Sequence, residues 1–215
     1  MITDWQQRRA LMVAQQLQAR GIRDRRVLDA MGRLLRERFI PEEMRELAYE
    51  DRPIPIGHGQ TISQPYIVGL MTQELAVEPG QRVLDIGCGS GYQAAILGLL
   101  AGQVYAVERV PELAAQARLA LAQCGADNVT VVVGDGTLGL AEHAPYDRIL
   151  CGAAGPEVPP AWLEQLLDGG RIVMPLGPPE QQELVAIEKR GGQILRRTLC
   201  GVRFVPLIGE HGWPG

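Results

Sequence analysis

Between residues 81 and 177, short apolar runs alternate with segments of helical periodicity. The pattern predicts the strands RVLDIG, QVYAVE, NVTVVVGD, YDRILCGAA and RIVMPLG, with the helices GYQAAILGLLA, PELAAQARLALAQCG and PAWLEQLLDGG between them. Strands that alternate with helices form crossover units and lie parallel in one sheet. The alternation therefore predicts an α/β fold, a three-layer sandwich with a mostly parallel sheet between layers of helices.

The two ends of the chain lack this alternation. The segment from residue 178 predicts two strands around Gly191-Gly192, an antiparallel hairpin that brings the sheet to seven strands. Residues 1–56 predict a helical extension, with Asp24 as a helix N-cap and Pro41 at the start of a third helix. The prolines of DRPIPIGHGQ then break the periodicity, and a further helix is expected from Ser63 to about Val77, capped by Ser63.

A glycine-rich loop, LDIGCGSGY, joins the first predicted strand to the next helix through Gly87, Gly89 and Gly91. Glycines let the backbone approach a ligand closely, and a helix N-terminus offers free N–H groups. The common dinucleotide fingerprint, G-x-G-x-x-G, seats a pyrophosphate. This loop has the spacing G-x-G-x-G and follows Asp85, whose carboxylate suits an ammonium group. The loop therefore favours S-adenosylmethionine, which carries an ammonium group and no phosphate.

Two more acidic residues follow the next two predicted strands. Glu108 ends the second strand, where a carboxylate can accept two hydrogen bonds from a ribose diol. Asp135 follows the third strand and is placed to meet the edge of an adenine. Any one of these acids could instead be a helix cap or a surface charge. Together with Asp85 they predict a methyltransferase-type nucleotide site at the C-terminal ends of the strands.

Beyond the cofactor loop, a series of longer blocks carries a specific resemblance. In chain order they are AYEDRPIPIGHGQTISQPYIVGLMTQEL, VLDIGCGSGYQAAILGLLAGQVYAVE, GDGTLGL, YDRILCGAA, LLDGGRIVMPLG and VRFVPLIG. Over nearly its full length the chain resembles the protein-L-isoaspartate (D-aspartate) O-methyltransferase family, a group of Rossmann-like, S-adenosylmethionine-dependent enzymes. The blocks GQTISQPY and VRFVPL are particular to that family. The chain departs from the family pattern at Cys88, where the family usually has Ser or Thr.

The resemblance implies methyl transfer from S-adenosylmethionine, leaving S-adenosylhomocysteine, to the free α-carboxylate of L-isoaspartyl residues in damaged proteins and peptides. The ester then collapses to a succinimide, whose hydrolysis partly restores a normal aspartyl bond. The family's functional Ser falls on Ser63. Its cofactor blocks fall on Asp85, Gly87, Gly89, Gly91, Glu108 and Asp135.

The chemistry of this reaction explains the polar stretch around Ser63. A carboxylate is already ionised at pH 7, so its methylation needs placement and no general base. We expect Thr61, Ile62 and Ser63 to hold the substrate from one side. Val205 and Pro206, in the extended segment VRFVPL, are expected to pair with the peptide from the other. Three alternatives stay open: Ser63 as a helix cap only, VRFVPL as an edge strand, and a substrate contact from His58.

The predicted organisation is a single methyltransferase domain spanning residues 1–215. Within it we separate the helical extension (1–56), a substrate loop and helix (57–78), a cofactor-binding core (79–177) and a C-terminal hairpin and tail (178–215). A net charge of -4 gives no sign of a nucleic-acid partner, and the arginines of RGIRDRRVLDAMGRLLRER are expected to line a solvated helical face.

Other partners and locations are constrained by what the sequence lacks. No apolar run approaches the roughly 20 residues of a membrane span, and the N-terminus has no signal-peptide pattern, so we expect a cytoplasmic protein. The four cysteines are scattered, which predicts neither a metal site nor a disulfide. The sequence does not determine the oligomeric state, and we expect a monomer.

Two other functions fit the same fold. One is a methyltransferase acting on a small molecule, which a pocket closed by the N-terminal helices would favour. The other is a protein that binds S-adenosylmethionine without catalysis, which the intact block TIS argues against.

Overall fold

A computed structural model describes residues 4–215, and its centre is a seven-stranded sheet. The strands of the chain are β1 (Ile54–Gly57), β2 (Gln60–Ile62), β3 (Arg82–Ile86), β4 (Gln103–Glu108), β5 (Val129–Val133), β6 (Tyr146–Cys151), β7 (Leu166–Leu176), β8 (Gln182–Arg190) and β9 (Gln193–Val202). The sheet has the order β5-β4-β3-β6-β7-β8-β9. Strands β3 to β7 run parallel to one another, and the pairs β7–β8 and β8–β9 are antiparallel. The predicted fold class is confirmed.

Helices lie along the chain between and before these strands. They are α1 (Trp5–Leu11), α2 (Arg25–Arg33), α3 (Pro65–Leu75), α4 (Tyr92–Leu100), α5 (Pro111–Gln123) and α6 (Pro160–Gln165). Helix α1 continues as a π-helical turn, Met12–Leu17, and short 3₁₀ turns cover Arg36–Phe39 and Glu42–Leu47. No helix within residues 4–215 has both the length and the apolarity that a membrane crossing requires.

Both faces of the sheet are buried, because successive side chains of a strand point to opposite sides. On β3, Val83 belongs to a core shared with α2, α3, α4 and α5, whereas Leu84 belongs to a second core around Trp162 of α6. The first core also contains Met12 and Leu17 from the N-terminal extension. The extension therefore packs against α3 and α4, and α4 is the helix that follows the glycine-rich loop.

The order of the strands sets the place of the site. From β3 the chain winds outward through β4 and β5, then returns to add β6 on the other side of β3. This reversal opens a crevice at the C-terminal ends of β3 and β6, where open α/β sheets bind ligands. The loop after β3 lies at this crevice.

The structure differs from the sequence prediction in three elements. The helix expected over residues 160–170 ends at Gln165, and β7 already begins at Leu166, which pairs with Tyr146 of β6. A bulge follows, with Gly169 at a φ of 79°, so the glycines that were expected to close a helix interrupt a strand instead. The third N-terminal helix is only a 3₁₀ turn, with Pro41 just before it. Strands β1 and β2 form a hairpin where no element was predicted.

Two predictions about the N-terminal extension have different outcomes. Asp24 caps α2 as predicted, because its side chain accepts a hydrogen bond of 2.9 Å from the Arg26 N–H. The arginines of the arginine-rich segment are exposed to solvent except Arg36, which is completely buried. The prediction of a solvated face is wrong at that residue, because the chain leaves α2 and turns Arg36 towards the core.

The single asparagine of the chain closes the turn between α4 and β4. Asn128 Nδ2 donates to the carbonyl oxygens of Gly98, Ala101 and Gly102 at 2.9, 3.2 and 3.3 Å. The Asn128 carbonyl accepts from the Val104 N–H at 2.9 Å, so the residue also starts the pairing of β4 with β5.

Candidate active site

The loop between β3 and α4 has the backbone conformation that its glycines allow. Gly87, Gly89 and Gly91 have φ values of 72°, 52° and 84°, in the left-handed region that side chains disfavour. Gly87 and Gly89 line a cavity. Gly91 has a different role, because a Cβ there would lie 3.2 Å from the Cβ of Ala117 on α5. Gly91, the third predicted cofactor glycine, therefore allows α4 and α5 to approach each other. It lines neither this cavity nor the smaller one that adjoins it.

Glu108, at the end of β4, holds this loop in place. Its two carboxylate oxygens accept hydrogen bonds from the N–H groups of Gly89 and Val110, at 2.8 and 2.9 Å. The side chain is only 5% exposed and lines the same cavity as the glycines. Each carboxylate oxygen has a second lone pair, so Glu108 can accept further hydrogen bonds from a ribose diol.

Asp85 is buried beside Glu108 at the end of β3. It is 1% exposed, and its Oδ2 has no hydrogen-bond partner within residues 4–215. Burial, and secondarily the charge of Glu108, raise the pKa of Asp85 to about 7. A buried carboxyl oxygen without a donor is costly, and an ammonium group would both donate to it and restore its charge. The unsatisfied carboxyl oxygen of Asp85 thus fits the ammonium group of S-adenosylmethionine.

Asp135, which was predicted to meet the adenine edge, is held by hydrogen bonds next to the same cavity. Its Oδ1 accepts from the N–H and hydroxyl of Thr137 at 2.8 and 2.7 Å, and its Oδ2 accepts from the Glu210 N–H at 2.8 Å. Partial burial acts to raise the pKa of Asp135, but these hydrogen bonds outweigh it and hold the pKa below the usual value. Asp135 does not line the cavity, although the adjoining Gly136 does. Three hydrogen bonds leave about one carboxylate lone pair for an adenine amino group.

Two adjoining cavities meet at Thr61, Gly87 and Gly89. The larger, of about 100 Å³, also includes Glu108, Arg109 and the segment from Val205 to Ile208. The smaller, of about 40 Å³, has both Ser63 and Asp85 in its lining. The sequence prediction missed Arg109 and Ile208, although the position of Arg109 next to Glu108 was a signal for it. A wider groove of about 560 Å³, between α1 and α2, shares no residue with these cavities.

The segment 61–63, here called the acceptor loop, has side chains that differ in burial from one residue to the next. Thr61 is exposed, Ile62 is buried in the core and Ser63 is half-buried. Within residues 4–215 the Ser63 hydroxyl makes no hydrogen bond, whereas its carbonyl accepts from Arg36 Nη2 at 2.7 Å. The prediction that Ser63 caps the helix is wrong: Pro65 is the first residue of α3, and Gln64 occupies the cap position with no side-chain hydrogen bond.

The tip of the hairpin β1–β2 carries His58. This residue has a φ of 52° between two glycines of similar conformation and is exposed. His58 lines neither cavity of the site, so the structure gives no support to its contact with substrate.

The segment VRFVPL lies along the mouth of the larger cavity, with Val205 and Pro206 in its lining. Its backbone is already paired within the chain. The Val205 carbonyl accepts from the Ala154 N–H and the Leu207 N–H donates to the Ala154 carbonyl, both at 2.8 Å. The Phe204 N–H and carbonyl bond the side chain of Gln182. Hydrogen bonds within the chain therefore occupy most of the backbone groups of this segment, as expected if VRFVPL packs internally and does not pair with a peptide.

The last residues of the chain form a tail over the same edge of the sheet. Trp213 Nε1 donates to the Ala154 carbonyl at 2.9 Å, and its backbone N–H donates to the Leu207 carbonyl at 2.8 Å. Glu210 and His211 donate their N–H groups to Asp135 and Thr137. The tail thus packs beside the larger cavity, and its hydrogen bonds hold the part of the cavity wall that contains Ile208.

Comparisons with known proteins agree with the geometry. A sequence model of the family described as Protein-L-isoaspartate(D-aspartate) O-methyltransferase matches residues 6–212. The protein-L-isoaspartate O-methyltransferase of Methanoculleus marisnigri is 54% identical over 204 residues, which cover 95% of this chain and 93% of that protein. Protein-L-isoaspartate O-methyltransferase 2 of Pelobacter propionicus is 53% identical over 208 residues, covering 96% of this chain and 92% of that protein.

A solved structure is similar across the whole fold. It is a putative protein-L-isoaspartate O-methyltransferase from Plasmodium falciparum in complex with S-adenosyl-L-homocysteine. It superposes with a TM-score of 0.82 at 27% identity, covering 93% of this chain and 98% of that one. The family predicted from the sequence is thereby confirmed: the chain belongs to the protein-L-isoaspartate (D-aspartate) O-methyltransferase family.

Proposed function

We propose that this protein transfers the methyl group of S-adenosylmethionine to the free α-carboxylate of L-isoaspartyl residues, and to the side-chain carboxylate of D-aspartyl residues, in damaged proteins and peptides. The methyl ester then collapses to a succinimide, which starts repair. One observation carries the proposal beyond family membership. Among residues 4–215 neither the Ser63 hydroxyl nor the Asp85 Oδ2 has a hydrogen-bond partner, and both residues line one small cavity, so an acceptor site and a cofactor site adjoin.

The cofactor's place follows from the chemistry of the cavity walls. When bound, S-adenosylmethionine supplies an electrophilic methyl group on a positively charged sulfur. We assign the ammonium group to Asp85, the ribose diol to Glu108 and the adenine edge to Asp135 with Gly136. The bare backbones of Gly87 and Gly89 allow close approach. Gly91 supports the site indirectly, by the packing of α4 against α5.

The acceptor's place follows from Ser63. A carboxylate needs no base, so the protein's task is to hold one oxygen in line with the bond that breaks. Ser63 can donate a hydrogen bond to the other oxygen and leave the reacting lone pair uncovered. Thr61 and Ile62 would flank the residue on one side, and the side chains of Val205 and Pro206 on the other.

Exposure of the acceptor loop supports a polypeptide substrate over a small molecule. Thr61 is exposed at the junction of the two cavities, and the N-terminal helices pack on α3 and α4 while no described residue of the N-terminal extension lines either cavity. We further propose a monomeric, single-domain, cytoplasmic enzyme. The net charge of -4 supports a protein partner over a nucleic acid.

The test is labelled methyl transfer into an isoaspartyl peptide and its aspartyl isomer, at equal concentration and with the same flanking residues. A peptide held along a fixed path would direct a normal aspartyl carboxylate away from the methyl group, and misplacement by about 1 Å can cost roughly a hundredfold in rate. We expect clear methylation of the isoaspartyl peptide and almost none of the aspartyl one. Equal rates would contradict repair and indicate a general carboxyl methyltransferase.

A further inference from the structure

Arg36 is a fully buried arginine at the back of the acceptor loop. Its exposed fraction is 0%, and it connects the N-terminal extension, to which it belongs, with Ser63. Its Nε donates to the Ala48 carbonyl at 2.8 Å and its Nη2 donates to the Ser63 carbonyl at 2.7 Å. Its Nη1 has no hydrogen bond of good geometry to residues 4–215. Two backbone carbonyls thus accept from it with good geometry, and the Tyr92 side chain interacts with its guanidinium.

The charge of Arg36 is not balanced by a carboxylate. No ion pair within residues 4–215 includes it. Asp51, a carboxylate whose charge acts on Arg36, is paired with Arg20. Glu37, its neighbour in the chain, accepts a hydrogen bond from Tyr49. Burial lowers the pKa of Arg36, yet a guanidinium stays protonated at any physiological pH.

One aromatic ring offsets part of this cost. The guanidinium carbon of Arg36 lies 4.8 Å from the ring centroid of Tyr92, the first residue of α4. A cation over an aromatic face contributes less than the several kcal/mol that burial of an ion costs. Tyr92 also lines the small cavity that contains Ser63 and Asp85. The buried charge is therefore separated from the acceptor site by Ser63 on one path and by Tyr92 on another.

We propose that Arg36 is a positioning residue that recognises the charge of the methyl acceptor: from behind Ser63 it attracts the substrate α-carboxylate without touching it. The inference rests on the proposed function, because the counter-charge arrives with the isoaspartyl substrate. A protein that buries an unbalanced cation beside a site for an anion uses the low dielectric of its interior to strengthen the attraction.

The indirect placement suits the reaction. A guanidinium in contact with the carboxylate would bind both oxygens as a fork and cover the lone pair that must react. Behind the Ser63 carbonyl, the same charge favours the bound anion and leaves the lone pairs uncovered. Methyl transfer removes the negative charge from the acceptor, so the neutral ester is no longer attracted. Arg36 is thus expected to select for carboxylate substrates and to favour release of the product.

The test compares the affinities of two peptides that differ only in charge. One carries the isoaspartyl α-carboxylate and the other the neutral α-carboxamide in its place. Binding is measured by calorimetry in the presence of S-adenosylhomocysteine. The variants are Arg36→Met, which removes the charge, and Arg36→Lys, which keeps it. Arg38→Met is the control, because Arg38 is an exposed arginine of the same 3₁₀ turn.

We expect the wild type to prefer the carboxylate peptide clearly. Arg36→Met should lose about tenfold of this preference, the scale of a charge–charge interaction across a medium of effective dielectric constant near 20. Its affinity for the carboxamide should change by less than about twofold. Arg36→Lys and Arg38→Met should retain the preference. If Arg36→Met does not fold, Arg36→Gln serves, because it keeps a donor for the Ser63 carbonyl.

Several results would overturn the inference. Equal affinity of the wild type for both peptides would remove any recognition of charge, whatever the variants do. An equal loss of both affinities in Arg36→Met would show that Arg36 only fixes the loop. Failure of Arg36→Lys to keep the preference would assign the effect to hydrogen-bond geometry. If the wild type methylates no isoaspartyl peptide, the proposed function fails, whereas methylation with an unaltered preference in Arg36→Met overturns only the role of Arg36.

Discussion

Ser63 contributes its carbonyl to the structure and leaves its hydroxyl available. Because the hydroxyl has no partner in the described chain and does not cap α3, Ser63→Ala should hardly change the melting temperature. It should lower kcat/KM for an isoaspartyl peptide by roughly 10–150-fold, the equivalent of one hydrogen bond of about 1.5–3 kcal/mol to a charged group. Cofactor affinity, measured by calorimetry, should stay close to wild type. A lower melting temperature with unchanged turnover would instead indicate a purely structural serine.

Asp85 illustrates the opposite case, in which function costs stability. Its pKa is raised in the folded protein to about 7, from about 3.8. The folded state therefore binds the proton more tightly, so Asp85 destabilises the cofactor-free protein increasingly as pH rises from about 4 to 7, with no further change above that. Asp85→Asn should add about 2–4 kcal/mol to the free energy of unfolding at pH 8 and almost nothing at pH 4.

The same substitution should weaken the cofactor site, because the neutral amide cannot pair with an ammonium group. Urea unfolding at the two pH values and calorimetry with S-adenosylmethionine separate the two effects. Asp147→Asn provides a control for the loss of one carboxylate elsewhere in the chain. A variant that is less stable than wild type at pH 8 would contradict this account of Asp85.

At the scale of elements, Glu108 joins β4 to the loop after β3 through Gly89 and to α5 through Val110. Glu108→Gln keeps the size of the side chain but turns an amide N–H₂ towards one of these two donors. We expect cofactor affinity to fall by roughly 10–150-fold. Amide hydrogen exchange of Gly89 should also become faster, because the loop loses its clamp. Unchanged exchange with weaker binding would assign Glu108 to the ribose alone.

The elements that sequence could predict are those whose burial pattern is local. The strands β3 to β6, β8 and β9 show in their apolar runs, and the Gly191-Gly192 turn has the positive φ at both positions that such a hairpin needs. Strand β7 was predicted to start too late, because only the pairing of Leu166 with Tyr146 decides its beginning. The hairpin β1–β2 is short and interrupted by prolines, so its tertiary setting determines it.

The site residues likewise divide into those that a local sequence pattern predicts and those that only tertiary contacts determine. Asp85, Gly87, Gly89 and Glu108 were predictable because they lie next to strand ends, and the sheet brings those ends together. The tail's hold on Asp135 links residues 75 positions apart, and no pattern in the sequence shows it. Arg36 is one of many arginines in its segment, and only the turn after α2 distinguishes it from its solvated neighbours.

At the scale of the whole molecule, the C-terminal tail connects the end of the chain to the cofactor side of the sheet. Removal of residues 210–215 would delete the Trp213 anchor and the Glu210 hydrogen bond to Asp135. We expect S-adenosylhomocysteine to dissociate several-fold faster from the truncated protein, because the wall at Ile208 loses its support. Stopped-flow fluorescence measures this rate. Trp213→Phe, which keeps an aromatic side chain and loses the Nε1 hydrogen bond, should have a much smaller effect. Equal rates in all three proteins would refute a closing role for the tail.

Asn128 gives the molecule a relation to its own ageing. Deamidation of an asparagine requires its side-chain amide carbon to swing within reach of the next backbone nitrogen. Three carbonyls hold the amide of Asn128, and the following residue is the β-branched Val129. Loss of that amide would first require the turn between α4 and β4 to open. A protein that repairs the products of slow chemical decay thus carries one asparagine, and it keeps that residue out of the reaction's geometry for as long as it stays folded.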